Sequence, residues 1–340
     1  MAVTNNWSAS FHLFTNPEFK YLDMKIVFLD SYTINPGDLN FDSLSKLGDF
    51  VAYDRTDKSE VLERAHDADI LIVNKTRLTE SEFKSLPHLK LVCVAATGYD
   101  NVDIESARKY NISVCNCKNY SSDSVAQMAL SLILEATDSV GSYTVRNHEG
   151  DWARCADFCY TIKPRFELAG KNMCVVGFGN IGRKIAEVMH SLQMKIFAVT
   201  SKTQVELPDY VTPIKLEDAF SSCDIISLNC PLTPSNAGFV NKALLKTAKP
   251  GLILLNTARG GLINEQDVSE ALSLGYLRAY CTDVLSQEPP CSLNPIMNAP
   301  RTFITPHIAW NTIEARERII NILVGNITAF INNKSQNVVN

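Results

Sequence analysis

From Met24 onward, short unbroken runs of Val, Ile and Leu alternate with stretches whose apolar positions recur at helical spacing. Runs of the first kind read as strands buried on both faces, and the amphipathic stretches read as helices that cover them. The alternation predicts the α/β class, with doubly wound parallel sheets. In the first third, the predicted strands are 25–30 (KIVFLD), 50–54 (FVAYD), 69–74 (DILIVN), 89–96 (LKLVCVAA) and 112–116 (ISVCN), enough for one complete sheet. A long helix is expected next, SDSVAQMALSLILEATDSV, with Ser122 or Asp123 as N-cap and Val125, Met128, Ala129, Leu132 and Ile133 on its apolar face. HEGDWARCADFCYTIKPRFELAG then breaks the pattern. Alternation resumes at 171–177, 195–199, 224–229, 252–256, 280–284 and 303–307, which predicts a second parallel sheet. An amphipathic helix from about Thr312 to Asn332 and a polar tail follow.

Two sheets agree with a length of 340 residues, since one domain holds roughly 100–200. With 46% apolar and 20% charged residues the composition is that of an ordinary soluble globular protein. A net charge of −5 argues against nucleic acid or an anionic membrane as partner, and leaves a small molecule. No apolar run approaches the ~18 residues needed to span a bilayer. None of the ten cysteines falls in a CxxC pair, and Cys93, Cys174, Cys230 and Cys281 sit inside strand-like runs. They read as buried thiols of a reducing cytoplasm, with no disulfide framework and no metal site. Cys115 with Cys117, and Cys155 with Cys159, are the pairs left open. Residues 1–23 fit neither a secretory signal nor an Arg-rich transit peptide; they read either as a disordered N-terminal extension or as an upstream start on a protein that naturally begins at Met24.

One βα junction carries recognisable chemistry. In VVGFGNIGRK, Gly177, Gly179 and Gly182 follow a strand and open a helix. Glycines at this spacing allow a tight turn and a close approach of backbone to a pyrophosphate, which the first helical amides, those of Asn180, Ile181 and Gly182, can hold. A carboxylate about 20 residues on, at the end of the next strand, usually takes the ribose of NAD. Here that strand ends in Thr200, Ser201 and Lys202. Small hydroxyls and a lysine can accept a 2′-phosphate that an acid would repel, so NADP(H) is expected ahead of NAD(H). The alternative is that Lys202 is a solvated surface residue and NAD binds without the acid. Three later residues, Arg259 in NTARGGLINE, Glu288 in DVLSQEPP and His307 in TPHIAW, each follow a strand run, and so can meet at the carboxyl edge of the second sheet. Arg259 offers a planar fork for a carboxylate. His307 can protonate a carbonyl oxygen while Glu288 holds its tautomer.

ATGYDNVD, VVGFGNIG, CPLTPSNAGFVN, LLNTARGGLINE, DVLSQEP and TPHIAWNTIEAR together resemble, in order, the D-isomer-specific 2-hydroxyacid dehydrogenase family. SDSVAQMAL, GDWARCADFCY and PHIAWNT look most like its D-glycerate dehydrogenase (hydroxypyruvate reductase) branch. The resemblance implies hydride transfer between NAD(P)H and a small 2-keto acid, hydroxypyruvate or glyoxylate, with D-lactate-type activity or a dinucleotide-sensing corepressor as alternatives. It makes Arg259 the carboxylate ligand, His307 the acid and base, and Glu288 its partner. Asp283 corresponds to a contact with the nicotinamide carboxamide, and Cys230, Pro231, Thr257 and Ala258 match positions lining the cofactor. Thr97 and Gly98 match a loop that holds the substrate carboxylate, with Asn74 and Lys75 at the neighbouring strand end; Lys75 reads equally as a plain surface cation. Trp310 either caps the substrate pocket or anchors the last helix. The resemblance also implies a flavodoxin-like substrate domain (24–120 and 301–340) interrupted by a Rossmann cofactor domain (121–300), and a homodimer formed through the latter.

Overall fold

The computed structural model describes residues 24–340; the expected extension, 1–23, lies outside them. Two compact units result: the described residues up to Tyr120 together with Ile313–Asn340, and Ser121–Thr312. The first holds five parallel strands, β1 (Lys25–Phe28), β2 (Asp49–Ala52), β3 (Ile70–Val73), β4 (Leu91–Val94) and β5 (Ser113–Asn116), in the order β2-β1-β3-β4-β5. That is the flavodoxin-like order. β3 and β4 are buried at every position, the reason they read as unbroken apolar runs.

The helix Ile313–Ile331 closes this unit. It buries Ile319, Leu323 and Ile327, and its first turn is tied down by Arg316, whose guanidinium donates to both oxygens of Asp38 at 2.6 Å and to Ile34 O at 3.2 Å. The polar tail does more than trail. Val339 N donates to Val114 O (2.9 Å), Asn116 N to Asn337 O (3.2 Å) and Val114 N to Asn340 Oδ1 (2.8 Å), so the tail runs antiparallel along β5 and covers the edge of the sheet.

The second unit holds seven parallel strands in the order β12-β11-β10-β9-β6-β7-β8. They are β6 (Asn172–Val176), β7 (Lys195–Val199), β8 (Val211–Pro213), β9 (Ile225–Leu228), β10 (Leu252–Asn256), β11 (Leu277–Thr282) and β12 (Thr302–Ile304). Side-chain alternation splits its core in two. Met173, Val175, Ile253 and Leu255 pack towards the helices Ser122–Asp138 and Asn180–Ser191, whereas Cys174, Val176, Leu252 and Leu254 pack towards Leu216–Ser222 and Glu265–Ser273.

Three expectations are corrected. β8 is a seventh strand that the pattern missed, because three residues ending in a proline at a sheet edge carry almost no periodic signal. The long helix is capped by Ser121, with no side-chain cap bond, rather than by Ser122 or Asp123. The boundary expected after Pro300 falls at Thr312, because β12 hydrogen-bonds to β11 and takes 301–312 into the second unit.

The two sheets share one device. Asp69, just before β3, accepts from Lys25 N (3.0 Å) and Lys90 Nζ (2.7 Å); Asp224, just before β9, accepts from Asn172 N (2.9 Å) and Lys249 Nζ (2.8 Å). Each carboxylate takes the first amide of the adjacent strand, a donor that the ladder leaves unused, and a lysine neutralises it. For Asp224 burial pushes the pKa up, but the Lys249 ion pair and the Asn172 amide outweigh it and hold the carboxyl below its ordinary 3.8. A depressed carboxylate stabilises above its unfolded pKa and loses that contribution as pH falls through the folded one. Asp224→Asn should therefore lower Tm at pH 7 by about 2–4 °C, the shift that ~1 kcal/mol produces in a unit of this size. The gap to wild type should close below about pH 4, measured by calorimetry across pH.

Candidate active site at the carboxyl edge of the second sheet

Parallel strands bring all their carboxyl ends to one edge, and strand order reverses around β6, from which the chain runs to β7 on one side and β9 lies on the other. A crevice at such a switch point is where ligands of doubly wound sheets bind. The three glycines after β6 occupy it, each for its own reason. Gly177 has φ +95°, and an added Cβ would meet Cys230 N at 2.7 Å and Asn229 C at 2.8 Å, so only glycine lets this turn abut the end of β9. A Cβ on Gly182 would meet Gly177 O at 2.2 Å, which fixes the helix Asn180–Ser191 tightly on its strand. Gly179 faces open space, with nothing within 4 Å of an added Cβ.

Around that space lie the residues of the first helical turn, Asn180, Ile181 and Gly182, whose amides point along the helix axis towards its amino end. Asn229 Oδ1 and Thr257 Oγ1, after β9 and β10, are buried and have no hydrogen-bond partner among the described residues. Buried polar atoms are normally satisfied, so such a pair beside an open glycine turn fits a polar ligand as long as a dinucleotide. Cys230 is half-buried, its thiol pushed up by burial, and Pro231 O accepts from Asn236 Nδ2 (2.8 Å). Beyond β7, Thr200 Oγ1 accepts from Lys202 N at 3.2 Å, Ser201 is exposed, and Lys202 Nζ stands 5.9 Å from the Phe178 ring centroid.

Arg259, Glu288 and His307 follow β10, β11 and β12, three adjacent strands. His307 Nδ1 and Glu288 Oε2 are 2.6 Å apart, and Glu288 Oε1 accepts from Leu285 N at 3.0 Å. The carboxylate acceptor places the imidazole proton on Nδ1 and leaves Nε2 as the working nitrogen. His307 has φ +55°, a left-handed conformation costly for a residue with a Cβ. Asp283 stabilises it: its carbonyl accepts from His307 N (2.8 Å), Oδ1 from Thr305 Oγ1 (2.6 Å) and Ile308 N (2.9 Å), and Oδ2 from Ala309 N (2.9 Å). Burial raises the pKa of this carboxyl, against those bonds. Trp310 lies half-buried in the following turn.

Arg259 Nη1 donates to Ala258 O at 2.8 Å, and its backbone is set by Asn256. The Asn256 side chain is fully buried, accepts from Ala258 N (3.1 Å) and donates to Arg259 O (2.9 Å), closing the turn after β10. The residue pattern offered a faint signal for this, an Asn at a strand end, which favours such side-chain-to-backbone turns. Nothing local signalled Asp30 in the first unit. At the end of β1 its carboxylate accepts from Asn74 N (2.7 Å), Lys75 N (2.6 Å) and Thr76 N (2.7 Å), gathering the loop after β3. Asn74 Nδ2 donates to Thr33 Oγ1 (2.5 Å), and Lys75 is exposed. Thr97 and Gly98 follow β4; Thr97 Oγ1 donates to Cys117 O (3.0 Å). A cleft of about 520 Å³, lined in part by Leu134, Phe166, Leu168 and Leu192, lies at the opposite, amino edge of the second sheet and contains none of these residues.

Residues 130–309 match the family model described as "D-isomer specific 2-hydroxyacid dehydrogenase, NAD binding domain". The chain is 40% identical to a hydroxypyruvate reductase of Blautia hydrogenotrophica over 93% of its own length and 100% of the relative's. It is 35% identical to a glycerate dehydrogenase of Methylorubrum extorquens, over 93% and 98%. Among solved structures, an acyclic imino acid reductase in complex with NADPH and D-Arg superposes with a TM-score of 0.81 at 27% identity, covering 93% of this chain and 100% of that one.

Gly179 and Gly182 separate ligand space from packing. Gly179→Ala should keep the wild-type Tm and weaken dinucleotide binding about tenfold or more, whereas Gly182→Ala should lower Tm first. Differential scanning fluorimetry with a fluorescence titration of NADPH and NADH distinguishes the two.

Proposed function

This chain belongs to the D-isomer-specific 2-hydroxyacid dehydrogenase family, and on that premise we propose that it reduces hydroxypyruvate or glyoxylate, giving D-glycerate in the chiral case. The observation that carries this reading is the 2.6 Å bond from His307 Nδ1 to Glu288, set at the sheet edge that also holds the glycine turn. A reduced nicotinamide, held at the glycine turn of Gly177, Gly179 and Gly182, would supply the hydride for the keto carbon. His307 Nε2 gives its proton to the carbonyl oxygen as charge develops there, and Glu288 stabilises the imidazolium and keeps the ring facing the substrate. Arg259 pairs its guanidinium with the substrate carboxylate and keto oxygen. In the first unit, Thr97 and Gly98 supply the carboxylate loop, and Asp30 holds Asn74 and Lys75 in place beside it. Residues 24–120 with the closing helix form the substrate domain in this reading, and the second unit is the cofactor domain. Trp310 closes the pocket over the substrate.

NADPH is the preferred reductant. The end of β7 offers Thr200, Ser201 and Lys202 where a carboxylate would repel the 2′-phosphate, and a structurally similar reductase holds NADPH. D-lactate-type activity is the second reading, because nothing in the triad measures the substrate's third carbon. A dinucleotide-sensing corepressor is disfavoured by a net charge of −5 without a basic run. None of the described helices is long and apolar enough to cross a membrane. The cysteines, six of them buried, are all free, which supports a reducing cytoplasm.

The second unit supports a homodimer. Val140, Val145, Trp152 and Phe158 are exposed on the helix Val140–His148 and the segment after it, and Trp152 Nε1 donates to Phe158 O (2.9 Å), giving the segment a defined shape. A second copy of the chain covers this surface.

The deciding experiment crosses a panel of 2-keto acids with NADPH and NADH. Hydroxypyruvate or glyoxylate with NADPH should give the highest kcat/KM; a strong NADH preference overturns the cofactor assignment. His307→Ala should lower kcat by about a hundredfold or more while dinucleotide binding survives, and near-normal turnover would refute its role. Phe158→Asp should convert the dimer to monomer by light scattering.

A further inference from the structure

Glu265 opens the helix Glu265–Ser273, where an acid ordinarily serves the helix dipole. Here both carboxylate oxygens are engaged across long stretches of chain. Oε1 accepts from Ser286 N at 2.8 Å, and Oε2 accepts from Ser286 Oγ at 2.7 Å and Asn294 Nδ2 at 2.9 Å. Ser286 stands two residues before Glu288. Asn294 is buried, and its Oδ1 accepts from Ile296 N at 2.9 Å. The carboxylate therefore fastens together both ends of the loop that carries Glu288.

The opposite side of that loop is sealed by Gly260, next to Arg259. A Cβ there would lie 1.9 Å from Leu285 C, 2.2 Å from Leu285 O and 2.3 Å from Ser286 N. The backbone beside Arg259 thus rests directly on the backbone before Glu288. Together, the close approach and the clasp fix two loops that no covalent link joins.

We propose that Glu265 is a positioning residue for the reaction: by clasping Ser286 and Asn294 it sets Glu288 against His307 and holds that pair in register with Arg259. It touches neither substrate nor cofactor. The inference rests on the proposed 2-keto acid reduction, which turnover by the wild-type enzyme tests separately. Two carboxylates face His307, Glu288 at 2.6 Å and Asp283 through its charge. Asp283 is held by its own turn, so a slack clasp moves only Glu288.

The test uses the full chain with Glu265→Gln, Asn294→Asp and the double variant. Glu265→Gln sets its amide NH2 against the NH2 of Asn294; Asn294→Asp opposes two carboxylates; the double variant restores one donor facing one acceptor. Each single variant should lower kcat about ten- to a hundredfold, the cost of a small misplacement. The alkaline limb of its reduction profile should shift, because the His307–Glu288 pair is no longer held at its 2.6 Å geometry. NADPH affinity should hold within about twofold, and the double variant should recover most of kcat and the wild-type profile. A wild-type kcat and profile in Glu265→Gln overturn the proposal. So does a common loss of kcat, NADPH affinity and Tm with no rescue, which marks a structural role alone. Should the single variants fail to fold, Ser286→Ala decides: it removes one hydroxyl contact, and a shifted alkaline limb supports the clasp while a wild-type profile overturns it.

Discussion

The chemistry proposed at the carboxyl edge of the second sheet depends on one constraint: three side chains on three separate loops must stay in fixed relation although only the sheet connects them. The close approach of Gly260 to Leu285 and Ser286 meets it most directly, since no residue with a side chain allows the two backbones that distance. Around that contact each loop is held by a side chain from its own or a neighbouring element. Asn256 closes the turn bearing Arg259, Glu265 the loop bearing Glu288, and Asp283 the turn bearing His307. In the proposed reaction these holding side chains serve the groups that react without meeting the substrate, which is how a site built on loops gains the precision of a rigid scaffold.

The first unit meets a similar demand with less. Asp30 gathers three successive amides after β3, and Asn116 Nδ2 holds Thr97 O (2.7 Å) after β4. Both sheets are stiffened at the amino edge by an aspartate–lysine pair and specialised at the carboxyl edge by loops. A single architecture thus serves twice, once with a glycine turn and once without.

How much of this is legible in the residue pattern follows from the range over which each interaction acts. Strands buried on both faces announce themselves in a few consecutive residues, so β3, β4, β9 and β10 are plain, and the glycine turn is plain because its three constraints lie within six positions. β8 is not, since an edge strand of three residues exists only through its pairing with β7. Arg259, Glu288 and His307 can be placed on strand ends by pattern, yet their joint meaning came from resemblance to a family. Glu265, Asp30 and the turn-holding role of Asp283 were invisible, because each acts on amides about 20 to 45 positions away that only the fold brings near. The unit boundary was missed for the same reason: β12 belongs with β11 by hydrogen bonding, and nothing local distinguishes it from the start of the returning segment.

The tail that runs along β5 has a consequence for how the protein is made. The helix Ile313–Ile331 and residues 337–340 complete the core and the edge of a sheet whose strands all lie before Tyr120. On a ribosome those strands emerge first, yet the pieces that finish them emerge after the whole of 121–312. The inserted unit can therefore fold on leaving the exit tunnel while the first sheet waits with β5 uncovered. The first unit can be completed only after the inserted one has been translated, and until then β5 presents an open strand edge of the kind that invites pairing with other chains.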